Sequence, residues 1–147
     1  MALPNLTTER FTPEHGFRIV VQVPDQSAKA ISEAVLKQTS LKYGDYDSVT
    51  FKTTAGVQQF RSLGTGRNIA TEANVEVPCV ELSFFLENDE ALVSRVIEVV
   101  YDAHPYEEPV VFVQACLRTR HIRGLDEDNL NRFWNAPAAD WVPKEHF

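Results

Sequence analysis

At 147 residues the chain has room for one domain with a true core, and the expectation stops at one. Apolar residues make up 44% and charged residues 24%, the balance of a globular chain rather than a disordered one. The formal net charge of −7 speaks against a nucleic-acid partner, which calls for a basic face. No apolar run approaches the roughly 18 residues of a membrane span.

Residues 1–16 read as an irregular polar leader without the layout of a signal peptide, so the cytoplasm is the expected compartment. "FRIVVQV" (17–23) then alternates as a strand, with Ile19, Val21 and Val23 on one face and Arg18, Val20 and Gln22 on the other. Asp25 is a candidate N-cap for a helix over 26–38, whose buried stripe is Ala28, Ile31, Ala34 and Val35. Two short strands are expected on either side of Thr54-Ala55-Gly56, with Gly56 best able to take positive φ. "VPCVELSFFLE" (77–87) is the next strand, with Val80, Leu82, Phe84 and Leu86 facing inward. Asn88 offers a second N-cap, ahead of a helix whose stripe is Leu92, Val93, Val96, Ile97 and Val100. The last long strand is "VVFVQACL" (110–117). Cys79 and Cys116 lie in strand-like runs without metal spacing and read as free thiols.

The order β-α-β-β-β-α-β is nearly a repeat: strand, acidic cap, helix, tyrosine-plus-acid turn and strand occur twice. Two such βαβ halves predict an α+β fold, a ferredoxin-like sandwich with both helices on one sheet face. The other face, with Arg18, Val20, Gln22, Glu81, Ser83, Phe85 and Phe112, has the mixture of an interface, and open sheet edges need a partner. Self-association meets both needs. Domain boundaries follow as a 17–117 body and a 118–147 extension. The extension begins with the basic "RTRHIR", read as a solvated segment. "DEDNLNRFWN" has the makings of one or two helical turns, and Phe133, Trp134, Trp141 and Phe147 are too apolar for a free tail. Docking on its own domain or a neighbouring subunit is expected.

The densest chemistry is "HPYEEP" (104–109), between the second helix and the last strand. A residue before proline is pushed out of α geometry, and Pro105 cannot continue the ladder, so the helix should end at Ala103 or His104. Charged His104 would suit the helix dipole, Tyr106 would cover the core end with its hydroxyl in water, and Pro109 would open the strand. Imidazole and carboxylates also ligate divalent metals, which makes His104, Glu107 and Glu108 candidate ligands. Adjacent residues tend to point apart, so a second element must contribute, and the matching turn offers Asp45 and Asp47. Tyr106, Asp45 and Asp47 are accordingly candidate ligand contacts. An acid/base pair of His104 with Glu107 or Glu108 is the enzymatic alternative, with no nucleophile motif beside it. "GTGR" (64–67) is too short to count as a phosphate loop.

"YGDYDSVTF", "QQFRSLG" and "AHPYEEPVV" together resemble the YqfO-type insert domain of the Ngg-interacting-factor-three-like family, itself similar to CutA and more distantly to PII proteins. The resemblance covers residues 17–117 and implies a CutA-like fold that assembles, commonly as trimers. The parent proteins carry a two-metal site in a separate core domain. The histidines here are only His15, His104, His121 and His146, so a hydrolase activity does not carry over. The expected function is a non-enzymatic, homo-oligomeric CutA/PII-like module that binds or senses a small ligand or divalent metal. An enzyme with a His/Glu pair in an intersubunit cleft and an assembly or adaptor protein are the alternatives.

Overall fold

Period-two alternation in two long strands decides the architecture, because each buries one face and leaves the other open. The computed structural model describes residues 2–146; Phe147, counted above with the tail aromatics, lies outside them. The elements are β1 (Phe11–Val23), α1 (Asp25–Leu36), β2 (Phe51–Lys52), β3 (Gly56–Phe60), β4 (Val75–Glu87), α2 (Glu90–Ala103) and β5 (Val110–His121). They follow the expected order. The sheet runs β2-β4-β1-β5, with β3 also on β4, and every neighbour is antiparallel. Ile19, Val21 and Val23 of β1 meet Val80, Leu82, Phe84 and Leu86 of β4 under Ala28, Ile31 and Val35 of α1 and Leu92, Val96 and Val100 of α2. Removing that many branched side chains from water, at about 1.5–3 kcal/mol each, is the main force holding the two layers.

Several boundaries differ from the sequence expectation. β1 starts at Phe11, inside the segment read as irregular, and Phe11 to Gly16 pair with Cys116 to His121 of a correspondingly longer β5. The first four residues of the basic run, Arg118 to His121, are thus strand, and Thr119, Arg120 and His121 stay exposed within it. Asp25 is not the cap of α1: Pro24 holds that position without a side-chain bond, and the Asp25 carboxylate pairs with Lys52 at 2.9 Å. Asp89, not Asn88, caps α2, accepting from the Leu92 N–H at 3.1 Å. Gly56 is not among the positive-φ residues. β2 and β3 do not form a hairpin with each other: both run along β4, Phe51 opposite Ser83 but Gly56 opposite Cys79, so the register slips by one residue between them.

The face away from the helices carries Arg18 opposite Phe85, Val20 between Ser83 and Phe112, and Gln22 opposite Glu81. Gly16 lies on it because nothing larger fits: a Cβ there would collide with the Leu86 carbonyl and the Phe85 ring. Cys79 is buried, Cys116 half-buried, and both are free thiols.

After β5 the chain makes two 3-10 turns, Phe133–Asn135 at the end of the stretch expected to hold one or two helical turns and Lys144–His146 beyond it. Asp126, only 4% exposed, anchors this segment. Its Oδ1 accepts from Arg10 across the N-terminal segment, from Arg132 at 2.8 Å and from Asn129 at 3.2 Å. Val142 is buried, and Arg123 pairs with Asp45 at 2.9 Å.

Gly16→Ala is expected to lose about 1–3 kcal/mol of stability in urea unfolding, the cost of forcing a methyl into occupied space. The Arg10 hydrogen bond holds the Asp126 carboxyl below its usual range against the opposing effect of burial, with Asn129 and the charges of Arg10 and Arg132 adding to it. A depressed carboxyl contributes stability that is complete above its unfolded pKa of about 3.9 and is lost as pH falls through the folded value. The thermal midpoint of the native chain should therefore exceed that of Asp126→Asn by a constant margin at higher pH. That margin should close as the solution becomes more acidic than the lowered folded value.

Candidate functional site

His104 is where helix, turn and central strand meet. Its backbone is extended (φ −78°, ψ 138°), and its N–H still caps α2 by donating to the Val100 carbonyl at 3.0 Å. Pro105 then blocks continuation, as the sequence predicts. The imidazole is 7% exposed rather than solvated. Nδ1 accepts from the Tyr106 N–H at 3.0 Å, so Nε2 carries the proton and donates to the Gln22 carbonyl at 2.8 Å. Both ring nitrogens are committed to the backbone, and neither is free to ligate a metal or take a substrate proton in this arrangement.

Tyr106 packs on that ring, centroids 4.9 Å apart. Its hydroxyl is not in water as expected but buried without a partner. Burial first, and the neighbouring Cys79 second, raise the phenol pKa; burial first, and Glu81 second, raise that of the Cys79 thiol. Both groups are thus held in their neutral, unreactive forms. Beneath them a polar ladder crosses the open sheet face: Gln58 Nε2 donates to Gln22 Oε1 and Gln22 Nε2 to Glu81 Oε2, each at 3.1 Å. Pro109 is buried immediately before β5 rather than being its first residue.

The two glutamates face a cleft of about 560 Å³ between the 104–109 turn and the 61–74 loop that joins β3 to β4. Glu107 Oε2 accepts from the Arg67 N–H at 2.9 Å. Gly66 permits this approach, since a Cβ there would lie 3.0 Å from the same oxygen. Glu108 and Arg61 line the cleft and have no ion-pair partner among the described residues. The cleft therefore presents both charge signs together with Gln58 and the hydroxyls of Ser62 and Thr65. Sequence reasoning passed over this loop because its two glycines match no phosphate motif; Gly64 takes a positive φ beside Ala70, and Gly66 admits the close approach of Glu107.

The second turn does not join this site. Arg118, which pairs with Glu14 at 2.9 Å, donates to the Lys42 carbonyl and stacks 4.4 Å over Tyr43. That sets the 43–47 turn at the Glu14 end of β1, whereas His104 holds Gln22. Eight residues of strand separate them, roughly 26 Å at about 3.3 Å per residue. Asp45 pairs with Arg123, and Asp47 accepts from the Ser48 hydroxyl at 3.0 Å. Among the described residues no three His, Cys, Asp or Glu side chains gather as a metal set.

A double βαβ sheet with both helices on one face defines a ferredoxin-like sandwich of the CutA-like kind, the fold the HPYEEP resemblance implies. Solved structures similar to it include a Bacillus cereus protein related to NIF3, with a TM-score of 0.60 and 23% identity over 76% of this chain and 28% of that one. CutA from Synechococcus elongatus PCC7942 is similar with a TM-score of 0.54 and 14% identity over 76% of this chain and 87% of that one. A divalent ion tolerance protein, CutA1 from Ehrlichia chaffeensis, is similar with a TM-score of 0.51 and 12% identity, covering 73% and 82%. The chain thus spans little more than a quarter of the NIF3-related protein and most of each CutA. At these identities the likeness is one of fold. No family model and no curated protein sequence matches the chain.

Two substitutions in the turn should act with opposite sign. His104→Ala strands the Gln22 carbonyl and the Tyr106 N–H, and should cost about 2–3 kcal/mol in denaturant unfolding. Tyr106→Phe deletes a buried hydroxyl that has no partner, and should be neutral or stabilising by up to about 1 kcal/mol.

Proposed function

We propose that this chain is a homo-oligomeric, non-catalytic binding module that takes a small polar ligand or a divalent cation in the cleft between the 104–109 turn and the 61–74 loop. The observation that carries the reading is the pairing of an anchored carboxylate, Glu107, with an unpaired one, Glu108, on the wall of a preformed cleft. Such a site binds with little reorganisation. The Ehrlichia chaffeensis CutA1 is called a divalent ion tolerance protein, and that name prompts the cation. Glu107 and Glu108 would supply the oxygen ligands, while His104 would position the turn by its two backbone bonds.

Self-association is supported by the free edge of β5 and by Phe112 and Val113, each 48% exposed along it. A trimer follows by resemblance, and a reducing cytoplasm suits the two free thiols. Light scattering should give a mass that is a multiple of the chain's own. Calorimetric titration with Zn²⁺, Cu²⁺ and Mn²⁺, each alone, should give saturable heat for at least one, lost in a Glu107→Gln, Glu108→Gln double variant. A monomeric mass would overturn the assembly reading, and negligible heat with all three ions would remove the cation from it.

A further inference from the structure

The opposite end of β1 holds a second cleft, of about 320 Å³, whose walls are the open face of the sheet and the 39–44 segment. Its fixed point is Arg118. The guanidinium lies between two rings, 3.9 Å from the centroid of Phe85 and 4.4 Å from that of Tyr43. Nε donates to Glu14 at 2.9 Å and Nη2 to the Lys42 carbonyl at 3.0 Å. A guanidinium carries five N–H donors, so three stay unused on a group that is already immobilised. Arg120, two residues further along β5, shares its face of the sheet and lines the same cleft. Lys42 and Glu87 line it as well, and neither they nor Arg120 has an ion-pair partner among the described residues.

We infer that this cleft is a separate binding site for the zwitterionic head of a free α-amino acid. The charges select that class. Three cationic side chains, Lys42, Arg118 and Arg120, repel a simple cation. Glu14 and Glu87 on the walls disfavour a doubly charged oxyanion such as phosphate. A molecule bearing a carboxylate and an ammonium satisfies both: the carboxylate meets the spare N–H groups of Arg118 and Arg120, and the ammonium meets Glu87. Because the rings and Glu14 already hold Arg118, binding does not have to order it, which favours affinity over an ordinary surface arginine.

The test is calorimetric titration of the full chain with the common L-amino acids, each alone at millimolar concentration. At least one should give saturable heat. Its N-acetyl derivative, which lacks the ammonium, and its amide, which lacks the carboxylate, should each bind about tenfold more weakly or worse. Arg120→Gln and Glu87→Gln should each weaken the parent amino acid by a similar factor, with unfolding midpoints confirming that both variants fold. The inference is overturned if no amino acid gives heat, or if binding survives unchanged in both variants. It is equally overturned if inorganic phosphate or the N-acetyl derivative binds as well as the amino acid, since the cleft would then be an oxyanion site only.

Discussion

The bond from the His104 imidazole to the Gln22 carbonyl fixes one whole end of the molecule. It ties the exit of α2 to the middle strand of the sheet, and through the other ring nitrogen it sets the direction in which Tyr106 leaves the turn. Glu107 and Glu108 follow directly after Tyr106, so their place opposite the 61–74 loop depends on a histidine that is not among the cleft's lining residues. An imidazole suits this task because it is both donor and acceptor in a rigid ring. Neither a lysine nor a glutamate could serve both backbone groups at once.

Around that bond the sheet distributes its chemistry unevenly. The core of the helix-covered face is apolar, and its burial supplies cohesion. The bare face keeps a glutamine ladder at one end and an aromatic-clamped arginine at the other, with Val20 and Phe112 between them. Each polar end adjoins a cleft, and each cleft is closed by a segment outside the helices, the 61–74 loop or the 39–44 segment. At the Glu14 end the tail is latched to the N-terminal segment by Asp126 on Arg10, with Arg132 of the tail on the same carboxylate.

Much of this was legible from residue order. Alternation in 17–23 and 77–87 and the two helical stripes gave the sandwich, because those positions answer to a single force, burial. Phe11 to Gly16 were not legible as strand: Pro13, Glu14 and Gly16 show no alternation, and their pairing depends on distant partners such as Arg118. The α2 cap moved by one residue because neighbouring polar residues, Asn88 and Asp89, compete for the same position. HPYEEP was visible as a helix stop, but the burial of the His104 ring and of the Tyr106 hydroxyl depends on what β1 and β4 bring above them. Arg118 looked like one basic residue among several, and only the meeting of Tyr43 and Phe85 around it sets it apart.

The one-residue slip between β2 and β3 acts as a phase shifter for the sheet edge. Before it, Lys52 is opposite Leu82 and turns toward the helices, where it meets Asp25. After it, Gln58 is opposite Val77 and turns toward the bare face, where it reaches Gln22. Had the same residues run on without the slip, every side chain from 56 to 60 would change sides, and Val57 would stand where the ladder needs an amide. The short link at 53–55 therefore decides which face of the sheet residues 56–60 serve, and its first residue, Thr53, is itself pinned to Glu81: its N–H donates to the Glu81 carbonyl and its hydroxyl accepts from the Glu81 N–H.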